Sequence, residues 1–175
     1  MRGIMKKYLL GLFLTGLFAV PSFAIDGAAV IDIRTAVLAT QAAKDAFQSL
    51  EEETEYANNL EQARVLQTDR QALAEKLQKE AETLSQEEIT DMQRSIQEKS
   101  KDLEFIVGKI QTKQNETADK VFRDLNPSVQ KILQELIAAK QVKILLGREN
   151  VLFADPSLDL TDDVTSMLDV AAQSE

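Results

Sequence analysis

Between Gly27 and Pro127 the chain has no proline and a single glycine, Gly108. Ala, Gln, Glu, Lys, Leu and Arg dominate the interval, and all of them favour helix. Ordinary globular helices seldom pass about 20 residues, so a stretch this long must be an extended helical element folded back on itself. Such a shape offers a large surface and little enclosed core. It points away from a catalytic pocket and toward a protein that holds or spaces other molecules.

The fold-back point is readable. Ser85-Gln86-Glu87-Glu88 matches the S-x-x-E capping box, in which Ser and Glu satisfy each other's orphan backbone N–H groups. Upstream, Leu66, Arg70, Leu73, Leu77, Glu80 and Leu84 step by alternating four and three residues. Downstream, Ile89, Met92, Ile96, Lys99, Leu103, Ile106 and Ile110 do the same, extended by Lys113 and Thr117. Reflection about a point near residue 86 places Leu84 opposite Ile89 and Leu77 opposite Ile96. This pattern predicts the seam of an antiparallel two-helix coiled coil with its tip near Ser85. Each helix would run roughly 70 Å at 1.5 Å per residue. The polar seam positions Arg70, Glu80, Lys99 and Lys113 make the arm only modestly stable. Gly108 adds either a flexible joint, or else a tolerated surface glycine or one permitting close helix packing.

Pro127 is expected to kink or restart the helix, because its ring removes a backbone donor. Beyond it, Val129, Ile132, Leu133, Leu136 and Ile137 form a denser apolar face. That face should pack against Val37, Leu38, Phe47 and Leu50 at the base of the hairpin. The β-branched run Ala28–Ile33 suits a strand, and Val142–Leu146 suits another. Gly147–Asn150 reads as a turn into a third run, Val151–Ala154, which makes a hairpin. Thr161-Asp162-Asp163 should then cap a last short helix. Three short strands cannot cover their own edges, so the body should self-associate by pairing strands between subunits.

Composition narrows the function classes. The chain has no histidine, cysteine or tryptophan. That removes the commonest general base, the thiol nucleophile and the usual zinc or copper ligands, so no enzyme, metal site or cofactor is expected. Arg2, Lys6 and Lys7 precede the apolar run Tyr8–Val20, and Ser22-Phe23-Ala24 ends the segment with small residues at −3 and −1. Residues 1–24 therefore read as a secretory signal peptide cleaved after Ala24, too short in its apolar core to span a membrane comfortably. The leader takes three of the 20 basic residues and none of the 29 acidic ones, leaving 17 against 29 and a mature net charge of −12. Such a surface disfavours nucleic acid.

The order of these features resembles the Skp/OmpH family of periplasmic chaperones across the mature chain. The segment Val151-Leu152-Phe153-Ala154-Asp155-Pro156-Ser157-Leu158-Asp159-Leu160-Thr161-Asp162-Asp163-Val164 carries the most specific likeness. The resemblance implies a mainly α fold: a long antiparallel helical-hairpin coiled-coil arm on a small β-rich trimerisation body, in a jellyfish-like homotrimer. It divides residues 25–175 into a body (about 25–40 and 128–175) and an arm (about 41–127). Val30, Ile31, Ile33, Val142, Ile144, Leu145, Val151, Leu152 and Phe153 would form the oligomer body. The implied function is an ATP-independent periplasmic holdase that binds unfolded outer-membrane proteins between its arms and releases them for membrane assembly. Client contacts would fall on arm residues outside the seam, namely Tyr56, Val65, Phe105, Val107 and Phe122. The alternative is a non-chaperone spacer or adaptor of the cell envelope docking one partner. One departure stands out: from Thr35 to Leu84 five basic residues face ten acidic ones, which argues against steering toward anionic lipid or lipopolysaccharide.

Overall fold

The computed structural model describes residues 27–173; the expected signal peptide and its cleavage site lie outside them. The described chain is mainly helical, with one small sheet. Strand β1 (Ala28–Ile31) leads into helices α1 (Ile33–Leu38), α2 (Gln41–Glu52) and α3 (Thr54–Glu80). After a turn, helix α4 runs from Gln86 to Ala139, and strand β2 (Ile144–Gly147) and helix α5 (Thr161–Ala172) close the chain.

The first strand is shorter than its apolar run suggested. Asp32, its backbone still extended, caps α1: its Oδ1 accepts from the Thr35 backbone N–H and its Oδ2 from the Thr35 hydroxyl, each at 2.8 Å. Ile33 is therefore the first residue of a helix rather than the last of a strand. At the other end Gly27 has φ of +88°, a conformation that suits glycine. A Cβ there would meet the Gln141 carbonyl oxygen at 3.0 Å. This bare backbone lets the Gly27 carbonyl accept from Lys143 N (2.7 Å) and Ile144 N (3.1 Å).

From there β1 and β2 pair in parallel, Ala28 opposite Ile144 through Ile31 opposite Gly147. Parallel neighbours need a crossover, and here the entire arm is the crossover. The expected hairpin does not form. Arg148–Asn150 is a single 3₁₀ turn, closed by Val151 N donating to Arg148 O at 3.2 Å. Val151–Ala154 is not a strand, because the described chain sets no third strand beside it. The other side of β1 is met by a bridge from Val30 to Asp159 and by Leu160 N donating to Val30 O at 2.8 Å.

Two breaks divide the descending helical side. Thr40 is fully buried; its hydroxyl donates to Val37 O at 2.7 Å and accepts from Ala43 N at 3.2 Å, ending α1 and starting α2. Glu53, with ψ of 124°, interrupts the chain again before α3, and its side chain caps nothing. The returning side has no such break. Helix α4 holds 54 residues, about 80 Å, and passes through Pro127 without restarting. Proline there forfeits one backbone bond. Val121, Val129 and Ile132 on either side are buried in the core and anchor that stretch of the helix.

That core gathers Ile31, Val37, Ala43, Ile132 and Leu136 around Val164 and Leu168 of α5. Leu50 is also buried, while Leu38 and Phe47 are only half-covered. Val37 and helix α2 share that core with the face beyond Pro127, and it is completed by helix α5. That last helix begins at Thr161, one residue after its N-cap Leu160, and the Thr161 hydroxyl accepts from Asp32 N at 2.9 Å. An ion pair from Lys140 to Asp163 at 2.8 Å ties the end of α4 to α5.

Candidate functional site: the arm and the open edge of the body

Helices α3 and α4 lie against each other along the arm. Across them Lys99 Nζ meets Asp69 Oδ2 at 2.8 Å, and Gln114 Nε2 donates to Tyr56 Oη at 2.8 Å. These contacts reflect about residues 84 and 85, close to the centre expected from the sequence. In α3 beyond Leu60, the partly covered positions are Ala63, Leu66, Arg70, Leu73 and Leu77. In α4 they include Ile89, Met92, Ile96, Lys99, Leu103, Ile110, Lys113 and Thr117, with Ile106 buried. Glu80 is exposed and stands outside the stripe.

At the tip Ser85 caps α4. Its hydroxyl accepts from Glu88 N at 3.3 Å, and Glu88 Oε2 accepts from Ser85 N at 2.8 Å. The Ser85 backbone N–H, then its hydroxyl, hold the Glu88 carboxyl below the usual carboxylate range. Lower on α3, Arg64 lies 2.6 Å from Glu61; their hydrogen bond lowers the Glu61 pKa and raises that of Arg64.

The residues expected to meet clients divide by exposure. Val65, Phe105 and Val107 are exposed on the arm, Phe105 by 64%. Tyr56 is instead 4% exposed, enclosed between the helices with its hydroxyl bonded to Gln114. Phe122 is half-covered, with the Arg34 guanidinium 5.8 Å from its ring centroid. Stepping the four-three alternation upstream from Leu66 lands on Ala63, Asn59 and Tyr56. That signal would have assigned Tyr56 to the seam, and would have drawn in Asn59, which the sequence reading missed.

The residues expected to build the oligomer body divide as well. Val30 and Ile31 are buried in this chain's own core, and Leu145 and Val142 are half-covered. Ile144 and Leu146 point outward from β2, whose far edge meets no strand among the described residues. Ile33 and Leu146 line one groove of about 720 Å³ between the start of α1 and the end of β2. Val151 is half-covered, Leu152 is wholly exposed, and Phe153 is 82% exposed. Full burial of each large apolar side chain is worth about 1.5–3 kcal/mol, so this edge of the body has much to gain from a covering partner.

No helix among the described residues is long and apolar enough to cross a membrane. Nor do the described residues bring three or more carboxylates to one point as a metal site would need.

The sequence pattern of the outer membrane protein (OmpH-like) family matches residues 27–168. Among solved structures, the chain is similar to one from Caulobacter crescentus CB15 described as a candidate outer membrane chaperone (OmpH-like). The two are 21% identical over 91% of this chain and 92% of that one, with a TM-score of 0.48. No curated protein matches the chain.

Proposed function

The chain belongs to the outer membrane protein (OmpH-like) family, and from that premise we propose that it is an ATP-independent holdase chaperone of the periplasm. Its clients are unfolded outer-membrane proteins, kept from aggregating between the arms and released for membrane assembly. The observation that carries this reading is the arm itself: a long two-helix surface with Val65, Phe105 and Val107 exposed at separate points. Scattered apolar contacts grip weakly and at many places, which suits a client that must later leave. The segment 1–24 supplies the export signal.

The working form is a homotrimer joined through the body. Leu152, Phe153, Ile144 and Leu146 support it, because an apolar edge this open on an otherwise strongly acidic chain calls for a cover. The acidic balance disfavours a lipid-bound role. The test is light-scattering suppression, without nucleotide, using several unrelated urea-denatured β-barrel proteins at stoichiometric ratio. Protection of all of them is the expected result. Protection of none, with capture of a single folded partner, would replace the holdase with an adaptor.

A further inference from the structure

The break at Thr40 releases two backbone groups, and a distant helix takes both. In a helix running straight through, Thr40 N would donate to Ala36 O and Gln41 N to Val37 O. Here Thr40 N and the Thr40 hydroxyl both turn to Val37 O, at 3.2 and 2.7 Å. Ala36 O and Gln41 N thereby lose their helical partners. Thr165 Oγ1 of α5 donates to Ala36 O at 3.0 Å, and Asp169 Oδ1 accepts from Gln41 N at 2.7 Å. One turn before Thr165, the Thr161 hydroxyl takes the Asp32 backbone N–H at the start of α1.

Thr161, Thr165 and Asp169 stand four residues apart, so they form a ladder along one face of α5. All three are half-covered, and next to them Val164 and Leu168 are buried in the core. The ladder carries a donor where the break leaves a carbonyl, and an acceptor where it leaves an N–H. Nothing within Ile33–Glu52 itself imposes the bend, since the segment has no glycine or proline. Helix α1, at six residues, is also too short to be stable alone. The bend is therefore held from outside.

We propose that α5 is a clasp on the root of the arm, with a straight helix as the alternative state. Docked, its ladder holds the bend at Thr40 and so sets the direction in which α2 leaves the body. Undocked, Thr40 N and Gln41 N take back their helical partners, and Ile33–Glu52 becomes one helix. Both arrangements pair Ala36 O and Gln41 N, so the docking of α5 decides between them. An element with two discrete packings of this kind can switch the arm between two directions rather than bend it by degrees. The clasp acts whatever the arm holds.

The test follows the Thr40 backbone by carbon-13 NMR in the deuterated mature protein. Thr40 is extended in the bend, with ψ of 158°, whereas a straight helix places ψ at about −42°. In the double variant Thr165→Val with Asp169→Ala, its Cα and Cβ shifts should move from extended toward helical values. Helix content by circular dichroism should hold. Asp169→Asn keeps the acceptor and should leave Thr40 extended. Thr40 shifts that stay extended in the double variant overturn the clasp. Loss of helical shifts across Ile33–Glu52, or a fall in helix content, overturns the straight alternative, because α1 and α2 then melt without α5. An Asp169→Asn chain that shifts as far as the double variant overturns the hydrogen-bonded ladder and assigns its effect to charge.

Discussion

Lys99 reaches across the arm to Asp69 at 2.8 Å, joining residues 30 apart in sequence through an ammonium that sits within an apolar stripe. Its neighbours along that stripe are Ile96 and Leu103, both partly covered. Ion pairs this open to solvent contribute about 0–1 kcal/mol, and less in salt. The lysine therefore trades packing for a weak bond.

Replacing it should stiffen the arm. Lys99→Met is expected to slow amide exchange along α3 and α4 near residues 69 and 99, because methionine fills the stripe without an ammonium to keep hydrated. Faster exchange in the variant would show that the ion pair, not the apolar stripe, holds the helices together there.

The tip offers a separable test. Ser85→Ala removes the hydroxyl that accepts from Glu88 N and should cost about 1 kcal/mol locally. Fraying should stay within the first turn of α4, read by amide exchange at Glu87 and Glu88. A change in oligomer mass by light scattering would mean that the tip takes part in assembly.

The same cap sets a pH dependence. The folded-state pKa of Glu88 lies below its unfolded value, so its contribution is fully present above the unfolded value. It is lost as pH falls through the lowered folded value. Carbon-13 NMR of the side-chain carboxyl should therefore titrate at lower pH than free glutamate, and Ser85→Ala, which removes the hydroxyl but keeps the larger backbone N–H contribution, should move the midpoint only part of the way back up. An unshifted midpoint in the wild-type chain would dismiss the capping bond in solution.

The body edge can be tested without risk to the fold. Leu152 and Phe153 touch little of their own chain, so Leu152→Asp with Phe153→Asp should leave the circular dichroism spectrum unchanged. Multi-angle light scattering should report a fall from trimer to monomer. A trimer that survives both aspartates would move the assembly surface elsewhere.

Thr40 tests the joint at the base of the arm. Thr40→Val keeps the volume but removes the hydroxyl that bonds both Val37 O and Ala43 N inside the core. Loss of that cap and of its buried bonds should cost about 1–2 kcal/mol, seen as a lower thermal midpoint. An unchanged midpoint would mean that the backbone turn holds without it.

The arm was legible because its signals are local and periodic. A Ser-x-x-Glu box marks a helix start by itself, and the four-three alternation assigns each residue to a face. The breaks at Thr40 and Glu53 were hidden, since no glycine or proline announces either one. Pro127 does not restart the helix: the breaker rule is local, whereas the core burial of Val121, Val129 and Ile132 spans both sides of it. In the body, Val151–Phe153 has a strand's composition but no partner strand among the described residues, and composition cannot reveal that. The Asn59 position follows the same periodicity as Leu66; a polar residue there conceals it from any search for apolar steps.

The contrast between the two sides of the arm has a mechanical consequence. One side, α4, is a continuous rod from tip to body, while the other is jointed at Thr40 and again at Glu53. A beam built of one unbroken and one segmented member has directional compliance. It flexes readily where the joint can open or close, and resists bending that would break α4's own hydrogen bonds. Both joints lie at the root rather than near Ser85, so the arm should swing as a lever about its base. In the proposed trimer, an aperture between three such levers would widen at the far end while the root stays closed, its width following the bulk of the client.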